Sequence, residues 1–135
     1  MELSDTSLGG DAVVALSIQR DTIEELKLKA VVALQPPSYY FNTTNGDDIK
    51  IPVFFSLGDA DPTLDNPLVK AIYERDPVGP KVLTSHNKIG HYGDTIIGPN
   101  HLKGYYVKYF QWLIMGTRNQ ATTSQSKPRT VSVTM

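Results

Sequence analysis

Three side chains of this 135-residue chain have the types and the order for nucleophilic acyl chemistry. Ser7 stands in Asp5-Thr6-Ser7-Leu8-Gly9-Gly10, Asp61 in Gly58-Asp59-Ala60-Asp61-Pro62, and His91 in Ile89-Gly90-His91-Tyr92-Gly93-Asp94. A serine hydroxyl is a poor nucleophile by itself. It needs a base, most often an imidazole, to take its proton, and a carboxylate to orient the imidazole and stabilise its charged form. Ser, then Asp, then His is one of the chain orders in which such a triad occurs.

Each of these residues also has a plainer reading. A serine before Gly-Gly can simply form a turn or cap a helix. Asp59 competes with Asp61 for the acid position, and either aspartate could sit in a solvated turn. His86 follows its strand too closely and His101 begins a helix, whereas His91 lies in a glycine-flanked loop. Asp94 supports the His91 loop or caps it. Tyr39 and Tyr40 line an acyl pocket or pack against the core.

Those positions need a frame. Asp11 to Ser17 reads as a buried helix opened by the Gly9-Gly10 turn, and Asp21 or Thr22 caps a short turn through Glu24 and Glu25. Leu28 to Leu34, stopped by Pro36-Pro37, and Ile51 to Leu57 are short apolar runs with the length of fully buried strands. Ser38 to Asp48 is polar and aromatic, with a turn at Asn45-Gly46-Asp47. Pro67 suits the first turn of a helix reaching about Arg75. Asp76 to Pro80 breaks it, and Lys81 to Ser85 forms a third strand. The apolar spacing of Tyr105, Tyr106, Tyr109, Phe110, Leu113 and Ile114 predicts a last helix from His101 to Met115. Buried strands alternating with helices predict an α/β fold with about three parallel strands and flanking helices. In such folds functional groups lie beyond the carboxyl ends of the strands. Asp61 and His91 both lie there.

With these elements in place, the stretch from Ser7 to Thr117 resembles the C-terminal half of the α/β-hydrolase family, in its esterase, dienelactone-hydrolase-like and polyester-hydrolase-like branch. The family's serine turn is matched by Ser7-Leu8-Gly9 before an apolar helix. Its Gly-x-x-Asp turn is matched by Gly58-Asp59-Ala60-Asp61, and its Gly-His by Gly90-His91. The resemblance implies Ser7 as nucleophile, His91 as base, Asp61 as acid and the Leu8 N–H as an oxyanion donor, with no cofactor and no metal. The sequence departs from the family's Gly-x-Ser-x-Gly in having Asp5 at the first glycine, a cramped position that Asp5 should strain or reshape. Only six residues precede Ser7, so this reading has no strand ahead of it and no loop to supply the second oxyanion donor.

Domain boundaries follow: a partial hydrolase domain over 1–117 and a disordered polar tail over 118–135. A net charge of -1 leaves no electrostatic footprint for nucleic acid or an anionic membrane. No run reaches the roughly 18 apolar residues of a membrane span, the N-terminus has no signal-peptide pattern, and the absence of cysteine excludes thiolate chemistry. Two functions fit. The first is a serine hydrolase of small carboxylic esters, truncated and weakly active. The second is a non-catalytic partial domain that associates with another chain. In that second reading Leu28–Leu34 is an exposed sheet edge, apolar and uncharged over its last five residues, open to self-association.

Overall fold

The structure, a computed structural model, describes residues 1–37, 46–63, 66–91, 107–113, 115 and 130–134. Its elements are β1 (Glu2–Thr6), α1 (Leu8–Leu16), α2 (Arg20–Leu26), β2 (Ala30–Leu34), a 3-10 turn (Gly46–Asp48), β3 (Val53–Gly58), α3 (Asn66–Arg75), β4 (Lys81–His86), α4 (107–113) and β5 (Thr130–Thr134). The strands lie side by side in the order β1-β2-β3-β4-β5, every pairing parallel.

Every residue of β2 and β3 is buried, because both faces of the sheet are covered. Alternate residues feed two cores. Val31, Ala33, Val53, Phe55 and Leu57 pack with Val13 and Val14 of α1 and Val69, Ile72 and Tyr73 of α3. Ala30, Val32, Leu34, Phe54 and Val82 form the second core with Tyr109 of α4, joined by Phe110, Trp112 and Leu113. The rings of Phe54 and Tyr109 meet edge to face, 5.2 Å between centroids. A strand covered on both faces has no polar side, which is why these strands read as continuous apolar runs.

The expected α/β class holds, and four of its elements correct the sequence reading. Strand β1 precedes Ser7, where no strand was expected. It pairs with β2 from Glu2↔Ala30 to Thr6↔Leu34, so the Leu28–Leu34 run is an interior strand held by β1 on one side and β3 on the other. That run is therefore not the exposed sheet edge expected from the sequence. Arg20–Leu26 is a helix rather than a short turn, closed by Lys27 in the left-handed conformation at φ 51°. Strand β5 pairs with β4 inside the stretch read as a disordered tail, bringing the sheet to five strands. Helix α1 begins at Leu8, three residues before the expected start. Tyr39, Tyr40, Asp94 and His101 lie outside the described residues.

The turn from β1 into α1 is built around two glycines. A Cβ on Gly10 would stand 2.9 Å from the Leu34 carbonyl oxygen, so helix and sheet approach closely only because none is there. A Cβ on Gly9 would stand 2.1 Å from Cγ of Asp5. Asp5 therefore reshapes the turn: its carboxyl folds over Gly9 and its Oδ1 accepts the Thr6 N–H at 2.7 Å. An alanine at position 9 must displace that carboxyl and break its bond to Thr6. Gly9→Ala is expected to lower the unfolding midpoint in the wild-type background, and much less in an Asp5→Gly background. Thermal unfolding of the four proteins of this double-mutant cycle measures the coupling, and equal losses in both backgrounds would contradict it.

Away from the turn, β4 starts at a buried polar cluster. Lys81 Nζ donates to the carbonyls of Tyr73 and Asp76, each at 2.6 Å, and lies over the Tyr73 ring. Asp76 Oδ1 accepts the Val78 N–H at 2.8 Å. Burial pushes the Asp76 carboxyl up to about 6, against the opposing pulls of that N–H and the Lys81 charge. The native state thus holds this proton more firmly than the unfolded chain does. Stability on this account falls as pH rises from the ordinary carboxyl value of 3.8 to about 6, because over that window the native state binds more protons. Asp76→Asn is expected to raise the melting temperature at pH 8, with the gain shrinking toward pH 4. Calorimetry across that range checks both the sign and the window.

Candidate functional site

Ser7, Asp61 and His91 come from the carboxyl ends of three different strands. Ser7 follows β1 directly, Asp61 lies three residues beyond β3, and His91 five beyond β4. The backbone of Ser7 is at φ 58°, ψ −127°, a positive-φ conformation unusual for a residue with a side chain. Two backbone bonds hold it there. The Ser7 N–H donates to the Leu34 carbonyl at 2.9 Å, and the Ser7 carbonyl accepts the Asp11 N–H at 3.1 Å. The strand thus ends on its neighbour while the helix has already begun, and the serine side chain is thrown outward at the turn.

The acid and histidine loops are stitched together. Asp59 N–H donates to the His86 carbonyl and Ala60 N–H to the Ile89 carbonyl, both at 3.1 Å. Asp59 Oδ1 accepts the Lys88 N–H. Gly58 lets the two loops meet, since a Cβ there would stand 2.3 Å from the Ile89 carbonyl oxygen. The two candidate acids therefore part company: Asp59 anchors the histidine loop by its backbone, and Asp61 faces the imidazole.

The three side chains form one line of hydrogen bonds. His91 Nε2 lies 2.7 Å from Ser7 Oγ, and His91 Nδ1 lies 2.5 Å from Asp61 Oδ2. The Asp61 side chain is fully buried and the imidazole 13% exposed. Burial pushes the Asp61 carboxyl up, but bonds from the Thr63 hydroxyl, the Thr63 N–H and His91 outweigh it and hold the group below its usual value. The carboxylate is thus ionised at neutral pH, and as an acceptor only it takes the proton on His91 Nδ1. That leaves the Nε2 lone pair for the serine hydroxyl, the tautomer in which an imidazole can act as general base. Leu8 opens α1, so its N–H is one of the donors that a helix leaves unpaired at its N-terminus. It belongs to the residue after Ser7, the position from which the resemblance implies a donor to the substrate's developing oxyanion.

His86 is buried at the end of β4, and its carbonyl takes the Asp59 N–H. Among the described residues no group of three His, Cys, Asp or Glu side chains could hold a metal ion. The sequence reading missed Thr63, whose hydroxyl and N–H both reach Asp61. Its only signal was an Asp-x-Thr step, a spacing at which an aspartate often accepts the N–H two residues on.

No protein-family model matches the chain. No curated protein matches it by sequence. Among solved structures it is similar to an esterase of Pyrococcus furiosus, with 16% identity and a TM-score of 0.53 over 90% of this chain and 52% of that one. This chain therefore spans about half the length of that protein. The likeness establishes an esterase-like α/β fold.

Proposed function

We propose that the chain is a serine hydrolase of carboxylic esters. The observation that carries this reading is the unbroken line from Asp61 through His91 to Ser7, seated on a positive-φ turn between strand and helix. In the reaction His91 Nε2 takes the Ser7 proton as Oγ bonds to the ester carbonyl carbon. The carbonyl π pair moves to oxygen, beside the Leu8 N–H. Asp61 steadies the imidazolium. Collapse of the tetrahedral adduct breaks the bond to the alcohol oxygen, which leaves with the proton from His91. A water then repeats the sequence, releasing the acid and restoring Ser7. The chemistry needs no cofactor, and the esterase neighbour has the same kind of fold.

A second reading, a non-catalytic partial domain that associates with another chain, is favoured by one feature. The outer side of β1 carries no strand among the described residues, and in the resembled family a loop from that side supplies the second oxyanion donor. Removing one such donor lowers rates by about 100-fold or more. Slow turnover accordingly fits the hydrolase reading.

A fluorophosphonate probe separates the two. The expected outcome is covalent label on Ser7, located by mass spectrometry, with slow hydrolysis of p-nitrophenyl acetate. Ser7→Ala should lose the label and at least about 100-fold of the turnover. A folded wild-type protein that takes no label would overturn the hydrolase reading in favour of the second.

A further inference from the structure

The loop after β3 carries a hydroxyl that the three-residue mechanism leaves unused. Thr63 Oγ1 lies 2.6 Å from Asp61 Oδ1 and 2.9 Å from His91 Nδ1. The Thr63 N–H also donates to Asp61 Oδ1, at 2.8 Å. The backbone contact alone would make an ordinary turn that any residue except proline could form. The contact between the hydroxyl and the imidazole goes beyond what that turn requires.

The donor count settles how the three groups share their protons. A hydroxyl has one proton to give and two lone pairs. Asp61, ionised, can only accept, so the Thr63 proton points to Oδ1. The hydroxyl's lone pairs are then left toward His91 Nδ1, whose proton is shared between Asp61 Oδ2 and Thr63 Oγ1. A histidine with its proton on Nε2 would set the Nδ1 lone pair against Asp61 Oδ2, and the Thr63 hydroxyl could donate to Nδ1 only by giving up Asp61 Oδ1. The site thus penalises the wrong tautomer twice. It also grips the ring at Nδ1 from two directions, which resists rotation of Nε2 away from Ser7.

We propose that Thr63 is a positioning residue for His91, closing a hydrogen-bonded triangle with Asp61 that keeps the imidazole proton on Nδ1. The proposal rests on the reading of Ser7, His91 and Asp61 as a hydrolase triad, and its test does not depend on turnover. In the ¹⁵N-labelled full chain, long-range ¹⁵N–¹H correlation reads the tautomer of His91 directly, with His91→Gln assigning the signals. Thr63→Val keeps the shape and the backbone donor but lacks the hydroxyl. Thr63→Ser keeps the hydroxyl, and Thr63→Ala serves should the valine variant fail to fold.

Wild type and Thr63→Ser are expected to show the Nδ1–H form alone, and Thr63→Val a mixture of both forms. The rate of fluorophosphonate labelling should fall about tenfold in Thr63→Val, as for loss of one hydrogen bond to a charge-bearing relay, and recover in Thr63→Ser. An unchanged His91 tautomer in folded Thr63→Val overturns the proposal. Failure of the hydrolase reading looks different: wild type would then take no label at Ser7, while the tautomer comparison still decides the role of Thr63.

Discussion

The site depends on how the backbone of Ser7 is held. A non-glycine residue at positive φ costs on the order of 1–3 kcal/mol and persists only where its surroundings impose it. Here the imposition is local and complete. The Ser7 N–H is taken by Leu34 and its carbonyl by Asp11, so the residue ends the β1–β2 ladder and begins the α1 ladder at once. Gly10 permits the helix to sit against the Leu34 carbonyl, and Gly9 makes room for the Asp5 carboxyl. A side chain at Gly10 would push α1 off the Leu34 carbonyl, and one at Gly9 would displace the Asp5 carboxyl.

The same edge of the sheet gathers other unusual backbones. Of the four described non-glycine residues with positive φ, Lys27 closes α2, while Ser7, Gln35 and Lys88 each lie just past the carboxyl end of a strand: β1, β2 and β4 in turn. A parallel sheet places all such ends on one side, where helices have yet to cover them. Strain collected there reflects loops that must turn sharply to bring side chains from separate strands into contact. The bonds between the Gly58–Ala60 and His86–Ile89 segments carry that burden, tying the turn that bears Asp61 to the one that bears His91. The two cores beneath, built on Phe55 and Phe54, are ordinary packing and give those loops a rigid floor.

What could be read from the sequence follows from which signals are local. Asp61 and His91 were legible because each stands a few residues past an apolar run, in a glycine-marked turn, and their order leaves room for one helix and one strand. The α/β class was legible because buried parallel strands are apolar on both faces. Strand β1 was not: Glu2, Ser4, Asp5 and Thr6 surround a single apolar Leu3, and what makes it a strand is the neighbouring ladder of β2 rather than its own pattern. Thr130 to Thr134 alternates valine with hydroxyl residues, a real strand signal that the polar composition around it masked. Thr63 was invisible for another reason. A hydroxyl in a loop carries no periodicity, and its role exists only once Asp61 and His91 have been brought together.

The arrangement separates two tasks that acyl transfer requires. On the hydrolase reading, the proton relay draws on the turns after β1, β3 and β4, and it assembles only with β2 seated between β1 and β3. Stabilisation of the oxyanion has a different origin, because it needs donors converging on a point outside the chain. The Leu8 N–H comes with the turn that presents Ser7, and in the resembled family the second donor comes from a loop on the outer side of β1, which carries no strand among the described residues. On the hydrolase reading, a chain with this fold would hold its nucleophile and base together while remaining slow. Reaction with an activated phosphonate asks mainly for the relay, and turnover of an ester asks for both. The ratio of the two measures how much of the oxyanion site the chain provides by itself.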